Sequence, residues 1–431
     1  MEKRHLIVVS VDAMVYEDLE ILSKLPNVGK LLRAGSLVRR MRTIYPALTH
    51  PIHASLMSGC AANATGIPNN EMCLPGRLHT PWYNRLEQMR CDTIFHAAHR
   101  AGLTTCACRW PVTAGGFDVI DYLVPEIMDD DAAAEPDLEA LYRRACSPAL
   151  FEDIIRPNLH RLAGPKHPSD ENFSIACACE ILKKYRPNLL FTHPCMVDST
   201  RHGNGLFGPA VEHALRLTDE WIGMLMAAVE EAGIADVTSF AIVSDHGHLE
   251  IKRELALNVF LRERGLMQVD GQGNVSSWAA WAKSCDLSAQ IYVQTPSREA
   301  EVEAALREMC EAGIYGISEV MTADEAEARF GLAGDFSFVV ESDGFTSFID
   351  DWQRPAVRLI DPEEYRRGHS THGHRPDKGP QPPMIVCGPA FQSGVVLEHG
   401  SILDEAPTFA AALGLTLPQA QGRPIGALLH G

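Results

Sequence analysis

The sequence predicts an α/β protein: a mostly parallel sheet with helices on both faces, plus a small α+β insertion. Three observations carry this. Short apolar, β-branched runs alternate with amphipathic helical stretches through the first 250 or so residues. Three of those runs end in an aspartate. Residues 255–368 then break the alternation before an apolar run, "PPMIVCGPAF" (382–391), returns to the sheet.

The elements follow in order. "HLIVVSV" (5–11) reads as a buried strand ending at Asp12. "VGKLLRAG" (28–35) is helical and stops at Gly35. "SLVRRMRTIY" (36–45) is a strand, and "HASLMSG" (53–59) is a helix after a loop. "DTIFHAAHRAG" (92–102) is amphipathic, and "LTTCACRW" (103–110) is the next strand. The signal fades over 111–170, where "EIMDDDAAAEPDLEALYRRA" reads as acidic surface decoration and "GPKHPSD" as a loop. Helix "ENFSIACACEILKKY" (171–185) precedes strand "LLFTHPCMV" (189–197) and Asp198. A long helix over 206–232 stops at Gly233. "DVTSFAIVSDHGH" (236–248) is a strand with Asp245 and His246 at its end. Within 255–368, "AQIYVQTP", "SREAEVEAALREMCEAG" and "DFSFVVES" describe a small cap. The expected division is therefore a core of 1–254 and 369–431, with a cap of 255–368.

Composition narrows the function. The 431 residues carry a formal net charge of -18, which argues against a nucleic-acid polymer as partner but permits a small anion at a locally positive site. No apolar stretch is long enough for a membrane span. Asp12 interrupts the N-terminal apolar run, so a leader is not expected and the location is expected to be cytoplasmic. The 12 cysteines include the C-x-C pairs Cys106/Cys108 and Cys177/Cys179 but no C-x-x-C, so reduced, buried thiols are expected rather than a cysteine-based metal site.

Ligands in such sheets bind beyond the carboxyl ends of the strands, where Asp12, Asp198 and Asp245 are expected. Converging carboxylates repel one another, and divalent cations relieve that repulsion. Two Zn²⁺ against three aspartates leave a site of roughly +1, suited to a phosphoryl anion. Mixed Asp and His ligation without thiolate favours zinc, with manganese or iron as alternatives. Asp198 and His202 lie one helical turn apart if a helix begins there. Asp245 and His246 can serve one site only in a turn, which Gly247 permits. Thr43, Thr49, Ser55 and Ser58 are the hydroxyls on offer as nucleophile. Thr49, between two prolines and just before a helix, is positioned to meet a cation and an anion.

The ordered set "VVSVDAM", "YPALTHPIHASLMSG", "TGIPNNEM", "MVDSTRHGNG", "IVSDHGH" and "STHGHRPD" resembles the alkaline phosphatase superfamily, within it the nucleotide pyrophosphatase/phosphodiesterase branch. The resemblance implies an alkaline-phosphatase-like fold and a dinuclear zinc site. Asp198, His202 and His372 would hold one ion; Asp12, Asp245, His246 and the nucleophile Thr49 would meet the other. Asn70 would donate to a phosphoryl oxygen. A phosphothreonine intermediate and a small phosphorylated substrate, a nucleotide among the candidates, would follow. The chain departs from the family at Met196–Val197, where Glu-Pro is common, and at "EMCLPGR" after Asn70, which leaves the leaving-group contacts open.

Competing residues stand beside these. His248 reads as a solvated loop histidine, His374 competes with His372, Asn69 with Asn70, and His53 reads as helix packing. Trp278 and Trp281 are expected to pack the cap, and the basic residues of "RPNLHRL" and "RRGHS" to be solvated. The favoured activity is a phosphodiesterase or nucleotide pyrophosphatase. A phosphomonoesterase or phosphonate hydrolase on the same scaffold is the alternative, and a non-catalytic metal- or nucleotide-binding protein is the reading of another class. A sulfatase is disfavoured, since C-x-P-x-R and S-x-P-x-R are missing from the sequence.

Overall fold

The structure, a computed structural model, describes residues 4–128, 137–364 and 367–430. Part of the acidic 126–145 stretch and Arg366 of "RRGHS" lie outside the described residues.

The central sheet has eight strands: β1 (His5–Ser10), β2 (Ser36–Arg42), β3 (Thr105–Cys108), β4 (Tyr122–Val124), β5 (Leu189–Thr192), β6 (Thr238–Val243), and, after the cap, β11 (Met384–Cys387) and β12 (Val396–Ser401). The cap contributes β7 (Ala280–Ser284), β8 (Ser288–Val293), β9 (Ile317–Thr322) and β10 (Phe338–Ser342). The order across the central sheet is β12-β2-β11-β6-β1-β5-β3-β4. Every pairing is parallel except those of β11, which runs antiparallel to both β2 and β6. β4 and β12 had no counterpart in the sequence reading. Both are edge strands, and β12 ("VLEHGS") is too polar to show as a buried run.

Alternation along β1 sends Ile7 and Val9 to one core and Leu6 and Val8 to the other. The first core is covered by α1 (Pro26–Ala34), α4 (Lys166–Tyr185) and α6 (Pro209–Glu231). The second is covered by α2 (Thr49–Ser58), α3 (Ile94–Arg100) and α9 (Glu405–Ala412). Helix α5 (Met196–Asn204) follows β5 directly. The strand expected over 189–197 is therefore shorter: it stops at Thr192, and Met196–Val197 already belong to the helix that carries Asp198 and His202. Helix α2 begins at Thr49, four residues earlier than its apolar pattern suggests.

β7–β10 form a four-stranded antiparallel sheet in the order β7-β8-β10-β9, with α7 (Glu299–Ala312) and α8 (Ala323–Phe330) between strands. Trp281 is buried there against Trp352, as packing requires. Arg367 is not solvated as expected: it bridges Glu254 at 3.1 Å and Asp286 at 3.0 Å, a pairing too distant in sequence to be seen there. All cysteines are free, and most are buried.

Helix α1 has no capping side chain of its own. Asp219, from α6 and 2% exposed, supplies one. It accepts from the backbone N–H of Asn27 at 3.1 Å and of Val28 at 2.7 Å. Asp219→Ala is expected to lower stability by about 1–2 kcal/mol, read as a lower urea midpoint at unchanged m-value.

Candidate active site

β6, β1 and β5 are neighbours, and their carboxyl ends are in register: Ser10 pairs with Val243 and Val9 with Thr192. This alignment delivers Asp12, Asp245, His246 and the start of α5 to one place.

Asp245 is fully buried. Its Oδ1 accepts from the N–H groups of Ala13 and His246, each at 3.0 Å. Its Oδ2, like Asp12 Oδ1, has no hydrogen-bond partner among the described residues. Both face His246 Nε2, at 3.2 Å and 3.6 Å. Thr49 Oγ1 lies 3.3 Å from the same nitrogen. Four donor atoms thus converge on one point, two of them buried oxygens that nothing else satisfies. That donor set fits a divalent cation. Gly247 is required for space rather than for a turn: a Cβ there would sit 2.3 Å from the Pro380 carbonyl oxygen.

The second cluster surrounds Asp198. His202 Nε2 is 3.4 Å from its Oδ2, and His372 Nε2 is 3.8 Å from its Oδ1. Both imidazoles donate Nδ1–H to a backbone carbonyl at 2.8 Å, His202 to Ser370 and His372 to Ala47. This leaves the Nε2 lone pairs for a ligand. The rings of His246 and His372 stack at 3.8 Å, so the two clusters adjoin. Asp198, His246, His248 and His372 form one group of possible ligands, and Asp12, Asp245 and His246 another.

The electrostatics match. Burial, then the charges of Asp245 and Asp198, push the Asp12 carboxyl well above its ordinary range. Burial raises Asp245 as well. Burial also raises Asp198, but His202, His248 and His372 outweigh it and hold that carboxyl well below its usual value. Burial, then His372, keeps His246 neutral, the form that binds a cation.

Of the candidate hydroxyls, Thr43 donates to the Asp245 carbonyl at 2.8 Å, and Ser55 and Ser58 donate to Pro51 and Ala54 carbonyls at 3.1 Å and 2.7 Å. Only Thr49 faces the cluster. Asn70 accepts through Oδ1 from the His50 N–H at 2.9 Å, which orients its carboxamide. Asn69 turns instead into the cap, 3.1 Å from the Ser284 carbonyl. His374 is buried but belongs to neither cluster.

Two expectations change. His248 is not a solvated loop residue: it is 1% exposed, and its Nε2 lies 2.7 Å from Asp198 Oδ1. His53 does more than pack, with Nδ1 at 2.7 Å from the Thr49 carbonyl and 3.7 Å from Asp245 Oδ2. His193 and Glu126 escaped the sequence reading. His193 Nε2 lies 3.1 Å from Asp12 Oδ2, and Glu126 Oε2 lies 3.5 Å from His50 Nε2. His193 stands directly after β5, a ligand position. Extending that strand to Val197 concealed it.

Residues 6–373 match the family described as type I phosphodiesterase / nucleotide pyrophosphatase. The chain belongs to this family. Human ectonucleotide pyrophosphatase/phosphodiesterase family member 1 is 26% identical over 251 residues, 55% of this chain and 23% of its own. The venom phosphodiesterase of Naja atra is 24% identical over 249 residues, 56% of this chain and 26% of its own. This family member thus matches about a quarter of the length of each relative. The fold is that of murine ectonucleotide pyrophosphatase/phosphodiesterase 5, solved as an inactive form in complex with AMP. Its TM-score is 0.68 at 19% identity, and all of both chains is covered.

The expected cytoplasmic location does not stand. The relatives are named as ectonucleotide and venom enzymes, which work outside the cytoplasm. The apolar run that ends at Asp12 is the central strand β1, and its interruption carries no information about compartment. No described helix is long and apolar enough to cross a membrane.

Asp12 and Asp245 have folded-state pKa values raised above their unfolded values. Their contribution to stability in the metal-free chain is therefore fully present at low pH and is lost as pH rises through the raised values. A bound cation removes that penalty. The gain in Tm on adding Zn²⁺ to chelator-treated protein is expected to be small near the ordinary carboxylate range and to widen toward neutral pH. The corresponding stabilisation free energy should approach about 2.7 kcal/mol per site at a hundredfold excess over Kd. A gain that shrinks with rising pH contradicts this assignment.

Proposed function

We propose that the chain is a metal-dependent phosphoric ester hydrolase, a phosphodiesterase or nucleotide pyrophosphatase, that works through a phosphothreonine intermediate. The observation that carries the reading is the hydroxyl of Thr49, alone among Thr43, Thr49, Ser55 and Ser58 in being aimed at the Asp12–Asp245–His246 cluster, from the first turn of α2. Two divalent cations, zinc by the donor types, would be held by Asp198, His202 and His372 and by Asp12, Asp245, His246 and Thr49. His248 would hold Asp198 from behind or join it as a ligand. Bound there, they supply positive charge to the phosphoryl group and lower the pKa of bound hydroxyls.

The chain's own residues do the rest. Thr49 Oγ attacks phosphorus in line, losing its proton as the new P–O bond forms, and the ester oxygen departs on the opposite side. Water then attacks the phosphothreonine along the same line and frees Thr49. Asn70, its Oδ1 held by the His50 N–H, turns its NH₂ toward a non-bridging oxygen. The N-terminus of α2 adds its partial positive charge. Buried His53 and His193, with pKa values lowered to about 3 and about 4 chiefly by burial, stay neutral and so do not repel the cations.

The core of 1–254 and 369–431 would carry this chemistry, and the cap of 255–368 would bound the substrate. A small nucleotide is the substrate class, in keeping with the AMP complex of the murine neighbour. That neighbour's inactive form carries alanine in place of one threonine, which supports Thr49 as nucleophile.

Thr49→Ala is expected to lower kcat on bis-p-nitrophenyl phosphate by at least about 10³-fold while metal content persists, measured by turnover and elemental analysis. Asp245→Asn is expected to lose one metal equivalent. A large preference for p-nitrophenyl phosphate or phosphonoacetate over the diester would replace the diesterase reading with its alternatives.

A further inference from the structure

Asn70 lies between two residues that the cap holds fast. Asn69, 3% exposed, places Nδ2 at 3.1 Å from the Ser284 carbonyl and 3.3 Å from Gln290 Oε1. Gln290 returns a bond from Nε2 to the Pro68 carbonyl at 2.7 Å. Glu71 Oε2 receives Lys283 Nζ at 2.8 Å and Thr80 Oγ1 at 3.0 Å. Lys283, on β7 with a side chain 3% exposed, also bonds Asp350 Oδ2 at 2.6 Å. Side chains 69 and 71 thus point into the cap, and the residue between them points the other way. Its Oδ1 takes the His50 N–H. That amide, in the first turn of α2, has no acceptor within the helix.

We propose that Lys283 and Asn69 are positioning residues. They clamp residues 68–71 to the cap so that Asn70 presents its NH₂ group beside the Thr49 end of α2, coupling the cap to the phosphoryl-binding site. This rests on the role proposed above for Asn70. A buried lysine between two carboxylates costs desolvation and is retained here where it joins Glu71 of the loop to Asp350 of the cap. A donor displaced by a fraction of an ångström loses most of its value in the transition state.

The test is a double-mutant cycle on the zinc-loaded enzyme with bis-p-nitrophenyl phosphate, read beside hydrogen exchange at the His50 amide. Asn70→Ala is expected to lower kcat about 10²-fold. Lys283→Met and Asn69→Ala should each lower kcat about tenfold with KM little changed, and should cost no more than about twofold further when Asn70 is already alanine. Both should speed exchange of the His50 amide at unchanged metal content. Asn69→Ala leaves no buried charge unpaired and carries the test if Lys283→Met does not fold. Losses that multiply with Asn70→Ala, with His50 protection unchanged, overturn the clamp. A wild-type enzyme that turns over no phosphoric ester overturns the proposed function instead, and the exchange measurement still decides the clamp.

Discussion

Asp12 and Asp245 are buried side by side, with the charge of half-buried Asp198 close by, and the repulsion this imposes on the two buried carboxyls is the constraint on which the rest of the structure depends. An unpaired buried carboxylate costs several kcal/mol, and two side by side take up a large part of the margin that holds a domain folded. The chain partly offsets this with neutral donors. Backbone N–H groups of Ala13 and His246 satisfy one oxygen of Asp245, and His193 satisfies one of Asp12. One oxygen of each is left with no partner among the described residues. A cluster that satisfies half of its acceptors and leaves the other half facing one point is arranged for a ligand of positive charge, not for stability.

The same logic explains the shell around the clusters. His202 and His372 spend Nδ1 on backbone carbonyls of residues far away in sequence, so their orientation is set by the fold before any ligand arrives. The accepting carbonyls belong to Ser370 and Ala47, on the segments just before His372 and Thr49. The loop after the cap and the loop before α2 therefore hold each other in place through the site. Cap and core are tied once more at Asn69 and Glu71, so the geometry at Thr49 depends on contacts well outside the ligand set.

Much of this was legible in the sequence, and the reason is physical. Asp12 and Asp245–His246 stand at the ends of apolar runs that can only be buried strands, and parallel topology sends those ends to one side. Asp198 and His202 have the spacing of one helical turn. What was hidden depends on tertiary distance. The fate of Thr43, Ser55 and Ser58 is fixed by which carbonyl each hydroxyl finds, and no pattern of residue types reports that. His248 resembles any loop histidine until Asp198, 50 residues earlier, is brought to its Nε2. His193 was obscured because "HPCMV" continues the hydrophobicity of β5 although Pro194 ends the strand's pairing. The antiparallel β11 reads like any other apolar run, since direction leaves no trace in composition.

Net charge sharpens the functional argument. A chain at formal charge -18 repels a phosphate-bearing ligand at long range, and the bare cluster, with its buried aspartates, repels it at short range as well. Neither Asn70 nor the first turn of α2 carries a full positive charge, so together they cannot reverse that sign. Arg109 is committed to Asp170 at 2.8 Å, and Lys283 to Glu71 and Asp350. With these two buried cations already spent, a bound divalent cation would supply the attraction for a phosphoryl anion that they do not. This is the electrostatic argument for assigning the carboxylates and imidazoles at the ends of β1 and β6 and on α5 to a metal-dependent site, and it supports the proposal of a small anionic substrate.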